Sequence, residues 1–170
     1  LNVKIAIENC PMLFTEDEWP GGKNIAVSPA IWRELFKRLP SEYLGLNFDP
    51  SHFIWQEMDY IRPLYEFKDK IFHVHYKDIR VDKEARNEVG VLATPLSYMV
   101  PCIPGHGDVN WARYISALLE IGYQGAACIE VEDKSFEDNN ENIENSLKSS
   151  RQYLKQFIHF PEKGRQYAKD

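Results

Sequence analysis

Residues 110–133, NWARYISALLEIGYQGAACIEVED, place a helix and a strand in immediate succession. Apolar residues recur at helical period through WARYISALLEI, and Gly122 supplies the stop. The run from Ala126 to Glu130 is then short and apolar and finishes on a carboxylate. A helix leading directly into such a strand is the repeating unit of a parallel β/α architecture.

Three other runs share the same ending. VKIAIE (3–8) closes on Glu8, LGLNFD (44–49) on Asp49, and IFHVH (71–75) on His75. In a parallel β/α barrel the C-terminal ends of neighbouring strands converge on one mouth, so residues remote in sequence meet there. Between the first two strands a helix is predicted, with Ser28 as cap, Pro29 in the first turn, and Ile31, Trp32, Leu35, Phe36 and Leu39 at helical spacing before Pro40. A second helix is predicted over about 57–69, although it contains Pro63. The segment Asp78 to Asp108, rich in charge and then in Pro and Gly, reads as a long irregular loop. A last helix is expected over about 142–158, with residues 159–170 as a tail, so that one domain spans 1–158. The order of elements fits an open sheet or a barrel. No GxGxxG follows the first strand, which weakens a dinucleotide-binding alternative.

Composition narrows the function class. The 170 residues are 44% hydrophobic with a net charge of −6, a globular profile without the clustered Lys and Arg that grip nucleic acid or an anionic membrane surface. Cys10, Cys102 and Cys128 are odd in number and widely spaced, which indicates neither a disulfide framework nor a zinc ribbon and points to a reducing cytoplasm. The start at Leu1, opening almost at once into a strand, suggests a piece of a longer chain.

The strand ends form a hard, oxygen-rich donor set. Three carboxylates and one imidazole suit Mn²⁺ or Mg²⁺ and also admit Co²⁺ or Zn²⁺. Taken singly, Glu8 is equally well a salt-bridge partner and Asp49 a turn residue before Pro50, so the repetition carries the argument. His73 and His75 share one face of their strand, with His75 nearer its C-terminal end as the expected ligand and His73 a layer beneath. Either Glu130 or Glu132 could be the fourth ligand. Glu8 and Glu130 on one metal would form a carboxylate pair able to remove and return a proton beside a carbonyl, with the metal holding the developing enediolate. His52 lies close enough to Asp49 to share the mouth. Lys77 and Arg80, in the run KDIR, are candidate cations for an anionic or hydroxylated substrate, though such a run is more often a solvated loop. In PGHGDVNW the glycines could let amides approach an anion, while His106 and Asp108 are rim candidates. Phe53, Trp55 and Trp19 are either a wall against a sugar's carbon face or ordinary core.

With these residues assembled, the chain resembles the sugar phosphate isomerase/epimerase family of xylose isomerase-like barrels. The blocks that carry the resemblance are IAIEN, FDPSH, HVHYKD, PGHGDVNWARYISALLEIGYQGAACIEVED and SLKSSRQYLKQFI. It implies a (β/α) barrel of which this chain is the C-terminal half, four βα units holding strands five to eight, with the N-terminal half absent. It further implies Glu8, Asp49, His75 and Glu130 as ligands of one divalent metal, Mn²⁺ first, and Glu8 and Glu130 as the proton-exchanging pair. His52 matches the substrate-binding histidine, and Arg80 the cation after the HxHxKD strand. Where the 3-epimerases carry a second glutamate six residues beyond the first, this chain has Phe14, a departure from the strict epimerase pattern. The implied activity is isomerisation or epimerisation of a sugar, sugar phosphate or polyol ketone. The alternatives are an inosose-type dehydratase and a truncated half barrel that binds without turnover. Abasic-DNA hydrolysis, known from related endonucleases, needs more histidines and carboxylates than this chain offers. Half a barrel leaves sheet edges and an apolar lining uncovered, so either self-association into a homo-oligomer or completion by the missing half is expected.

Overall fold

A computed structural model describes residues 2–13 and 22–158 of the chain. Four strands form one all-parallel sheet: β1 (Ile5–Glu8), β2 (Leu44–Phe48), β3 (Ile71–Tyr76) and, last in sequence, β6 (Ala126–Ile129), in the order β1-β2-β3-β6. The crossovers are helical: α1 (Pro29–Arg38) links β1 to β2, and α2 (Ser51–Ile54) and α3 (Arg62–Glu66) link β2 to β3. After β3 come β4 (Asp78–Val81), α4 (Lys83–Val89) and β5 (Met99–Cys102), then α5 (Trp111–Glu120) before β6, and α6 (Asn140–Lys155) closes the order. This is a partial barrel. Phe14, Trp19 and the expected tail lie outside the described residues.

The core forms where the outward-facing strand side chains meet the helices. Leu46, Phe48 and Val74 are fully buried against Trp32 of α1, Phe53, Leu64 and Tyr114 of α5. Trp32 sits at the centre of the aromatic packing, edge-on to Phe48 and Phe67, with its indole N–H donating to the Ala26 carbonyl at 2.7 Å. α5 follows the expected pattern: Asn110 caps it by accepting from the Arg113 amide, and Gly122 ends it at φ +69°.

Three expectations are corrected. Ser28 occupies the cap position of α1 but makes no side-chain cap bond, leaving Pro29 in the first turn as the start signal. The helix foreseen over 57–69 is broken, because Glu57 takes φ +55° and Pro63, lacking an N–H, begins a new helix instead of continuing one. The segment 78–108 is not irregular. β4 and β5 pair antiparallel around α4, over a small second core of Leu13, Trp55, Ile79, Tyr98 and Met99. Pro101 fits within β5 because a two-stranded sheet has only edge strands.

One irregularity of the sheet matters for the site. Between β2 and β3 the register slips, Leu46 facing Ile71 but Asn47 facing His73, so β3 carries an extra residue, Phe72. Gly45 makes room for it: a Cβ there would meet the Lys70 carbonyl oxygen at 2.3 Å and the Phe72 ring at 2.6 Å. The bulge brings Asn47 beside both histidines of β3.

Candidate metal centre

Each strand of the parallel sheet delivers one polar group to its C-terminal end. Glu8 is the last residue of β1, Asp49 follows β2, His75 lies near the end of β3, and Glu130 follows β6, its amide donating to the Tyr76 carbonyl at 3.2 Å. Buried Asn9 locks the first two together. Its side-chain Nδ2 donates to the Asp49 carbonyl at 2.8 Å, and its Oδ1 accepts from the Asp49 amide at 2.7 Å. Asn24 in turn donates to the carbonyls of Glu8 and Cys10. The backbone beneath the carboxylates is therefore fixed by amides, which leaves the acid groups free to point at a ligand.

One donor atom from each of Glu8, Asp49, His75 and Glu130 lies within 4.8 Å of all the others. His75 Nδ1 is 3.0 Å from Glu130 Oε2, 3.3 Å from Glu8 Oε1 and 3.9 Å from Asp49 Oδ2. These are close charge contacts without hydrogen-bond alignment: Asp49 Oδ2, His75 Nδ1 and Glu130 Oε2 are buried and have no hydrogen-bond partner. Buried polar atoms left in this state are rare and expensive. Their lone pairs converge on shared space, an arrangement that a divalent cation satisfies and neutral packing does not. The donor set, three carboxylate oxygens and one imidazole nitrogen, fits a hard or borderline divalent ion.

The electrostatics follow from the same contacts. For Glu8, burial works to raise the pKa, but His52 and His75 outweigh it and hold the carboxyl well below its usual range. His75 is pushed up to about 10, chiefly by the Glu130 carboxylate at its Nδ1 and then by Glu8. His52 is opposed by burial yet also rises to about 10, mainly through Asp49. Its Nε2 is 3.5 Å from Glu8 Oε1 and 3.6 Å from Asp49 Oδ2. Burial pushes Asp49 up. Glu130 is lowered, first by His75.

Cation uptake at this cluster would therefore depend on pH. A folded pKa of about 10 against an unfolded value of 6.5 means that the protonated His75 stabilises the metal-free fold fully below pH 6.5, and that this contribution fades as pH rises toward 10. A cation on Nδ1 has to displace that proton, so apparent affinity is expected to rise about tenfold per pH unit between roughly pH 6 and 8. Calorimetric titration with Mn²⁺ at both ends of that range checks this, and an affinity that does not change with pH would show that His75 gives up no proton.

The remaining site candidates divide into two groups. His52 and Lys77 join the cluster. Lys77 is buried, ion-paired with Glu132 and 4.0 Å from Glu130, and although burial opposes its charge, Asp49, Glu130 and Glu132 raise its pKa. This separates the two glutamates left open by the sequence, since Glu130 enters the donor cluster and Glu132 serves Lys77. Arg80 and Asp108 are exposed and lie on the β4–β5 side, where the Asp108 carboxylate accepts from the Val81 amide at 2.8 Å. Exposed His106 packs near the Phe136 ring.

The anion that the PGHGDVNW amides approach is the protein's own Asp78. Its fully buried carboxylate accepts from the amides of Ile79, Gly105 and Val109 and from the Trp111 indole N–H. Phe53 and Trp55 are core residues and not a sugar wall.

Comparison with known proteins agrees with this fold. The profile of the xylose isomerase-like TIM barrel family matches residues 1–156. The chain belongs to that family. An uncharacterised protein, YfiH of Bacillus subtilis, is 31% identical over 125 residues, 68% of this chain and 38% of its own length. An inosose dehydratase of Lacticaseibacillus casei is 28% identical over 122 residues, 70% of this chain and 40% of its own length. This family member thus spans about two-fifths of the curated relatives it matches. Among solved structures, a xylose isomerase domain protein from Alicyclobacillus acidocaldarius superposes at TM-score 0.64 with 16% identity, covering 91% of this chain and 50% of that one. A zinc-bound IolI protein superposes at 0.62 with 21% identity, covering 93% and 51%. At those identities the likeness is one of fold.

Two polar residues that brace this cluster escaped the sequence reading. Asn9 and Asn47 both lie in quoted strand blocks, but an asparagine in or beside a strand looks like the polar half of an alternation. The one available signal was its immediate neighbourhood to a strand-end acid, as in Glu8–Asn9.

Proposed function

We propose that the chain forms the cation-binding part of a divalent-metal-dependent enzyme that transfers a proton next to the carbonyl of a sugar or polyol ketone. The observation that supports this reading is the convergence of four donor atoms within 4.8 Å, three of them buried without hydrogen-bond partners. Glu8, Asp49, His75 and Glu130 would hold the ion, with Mn²⁺ first by the hardness of the donors and Zn²⁺, Co²⁺ or Mg²⁺ also accommodated. When bound, it would polarise the substrate's oxygen atoms and lower the barrier to removing the adjacent proton.

The residues of the chain would do the rest. Glu8 and Glu130 reach His75 from strands on opposite sides of β3, and both carboxyls are held ionised at neutral pH. One removes the proton and the other returns it, which inverts a carbon or moves a carbonyl. His52 and Lys77 present buried positive charge to a hydroxyl or phosphate of the substrate, with Arg80 and Asp108 assigned to the outer rim. A dehydratase of a cyclic polyol ketone is the second reading, favoured by the inosose dehydratases among the relatives. It shares the first proton removal and then expels water.

The test is incubation of the cation-loaded protein with ketopentoses, ketohexoses and inososes in deuterium oxide. Deuterium uptake beside the carbonyl with no other change of mass supports isomerisation or epimerisation, whereas loss of one water supports the lyase. Bound cation with no exchange on any of these substrates would leave a binding half barrel without turnover.

β1 and β6 are the two edges of the parallel sheet, and Val3, Ile5 and most of β6 are exposed. We assign these edges to a second half barrel, either another copy of this chain or a further part of the barrel, since the curated relatives it matches are more than twice as long as the region matched. Light scattering that gives a dimer supports the first version, and a clean monomer near 19.9 kDa overturns it. Three free cysteines fit a reducing cytoplasm, and among the described residues no helix is long and apolar enough to cross a membrane.

A further inference from the structure

The Asn47 carboxamide lies between the two histidines of β3, its Nδ2 2.9 Å from His75 Nε2 on one side and its Oδ1 2.8 Å from His73 Nδ1 on the other. The bulge at Phe72 sets this position, and the two imidazoles stand edge-on at 5.4 Å. An amide can offer only one oxygen and one NH₂, and the two exchange places by a half-turn without any change of shape. Whatever Asn47 presents to one ring, it must present the opposite to the other.

We propose that Asn47 is a positioning residue that fixes the tautomer of the ligand histidine and, through the same amide, the tautomer of His73. The inference rests on the cation site described above. A lone pair on His75 Nδ1 requires the ring proton on Nε2, which needs an acceptor, and Asn47 is the group within reach. Its oxygen therefore turns to His75 in the cation-loaded protein, its NH₂ turns to His73 Nδ1, and His73 carries its own proton on Nε2. Ligand histidines are commonly oriented by such an outer partner, and losing it typically weakens metal binding by about 10- to 100-fold. The distinctive element here is the second ring, which contributes no donor atom to the four-residue cluster and yet has its protonation pattern dictated by it.

The test uses the intact chain loaded with Zn²⁺, and nitrogen NMR of ¹⁵N-labelled histidine to read both rings. The expected result is zinc at His75 Nδ1 together with a proton-free Nδ1 on His73. Asn47→Leu is expected to weaken zinc affinity by about 10- to 100-fold in calorimetry. Asn47→Asp, an acceptor toward both rings, restores the affinity but moves the His73 proton to Nδ1. Thermal unfolding of both variants without metal confirms that they fold. Zinc at His75 with a protonated His73 Nδ1, or unchanged affinity in the folded Leu variant, overturns the inference and leaves the proposed site standing. Absence of zinc binding in the parent chain overturns both.

Discussion

A Glu8→Gln, Asp49→Asn double variant is expected to take up no stoichiometric cation under conditions where the parent holds one per chain. Both substitutions preserve shape, so the loss comes from charge and lone pairs. At position 49 an amide NH₂ would take the place of the Asp49 Oδ2, which in the parent is buried without a hydrogen-bond partner. Losing even an outer partner of a metal ligand weakens binding by about 10- to 100-fold, so losing two ligands should exceed about 100-fold. The fold should survive, because Asn9 holds residue 49 through its backbone and not through its carboxylate. Elemental analysis of both proteins after identical handling decides the matter. Equal metal in parent and variant would place the cation elsewhere.

The second large effect concerns stability. Asp78→Ala is expected to destabilise the fold by about 4 kcal/mol, because each donor left unsatisfied in a buried setting costs about 1–3 kcal/mol and the four donors here are too closely coupled to add in full. The lost carboxylate accepts four hydrogen bonds, at 2.9 Å from Ile79 N, 2.9 Å from Gly105 N, 3.0 Å from Val109 N and 2.8 Å from Trp111 Nε1. For a chain of this length, about 4 kcal/mol corresponds to a fall of roughly 8–16 °C in Tm. Urea or thermal unfolding measures it. A change below about 1 kcal/mol would mean that water replaces the carboxylate at no loss, and that the segment from Gly105 to Trp111 does not depend on Asp78 for its shape.

These two residues also show which parts of the chain could be read in advance. Asp49 announces itself, because an acid at the end of an apolar run has few explanations once three other runs end the same way. The four parallel strands and α5 were legible for the same reason, namely periodicity with a clear stop. Asp78 was not legible. Within KDIR it looks like part of a solvated loop, and only the fold reveals that Lys77 and Asp78 turn inward while Arg80 turns outward. The stretch beyond it was misread because proline and glycine signal irregularity, whereas here Pro101 sits in an edge strand and Gly107 passes so close to Asp78 that a Cβ would lie 2.4 Å from its Oδ1. Asn47 was hidden by a register slip, a property of strand pairing that a single strand's sequence does not display.

The sheet order has a mechanical meaning. β1 and β6 are three strand spacings apart, roughly 14 Å if the sheet were flat. Yet Glu8 and Glu130 both come within 3.3 Å of the same imidazole nitrogen. The donors meet partly through the reach of the glutamate side chains and partly because the sheet curls, so curvature and donor spacing are linked. An ion gripped by the outermost strands would act as a tie-rod across an open arch, and anything that flattened the arch would loosen the ion.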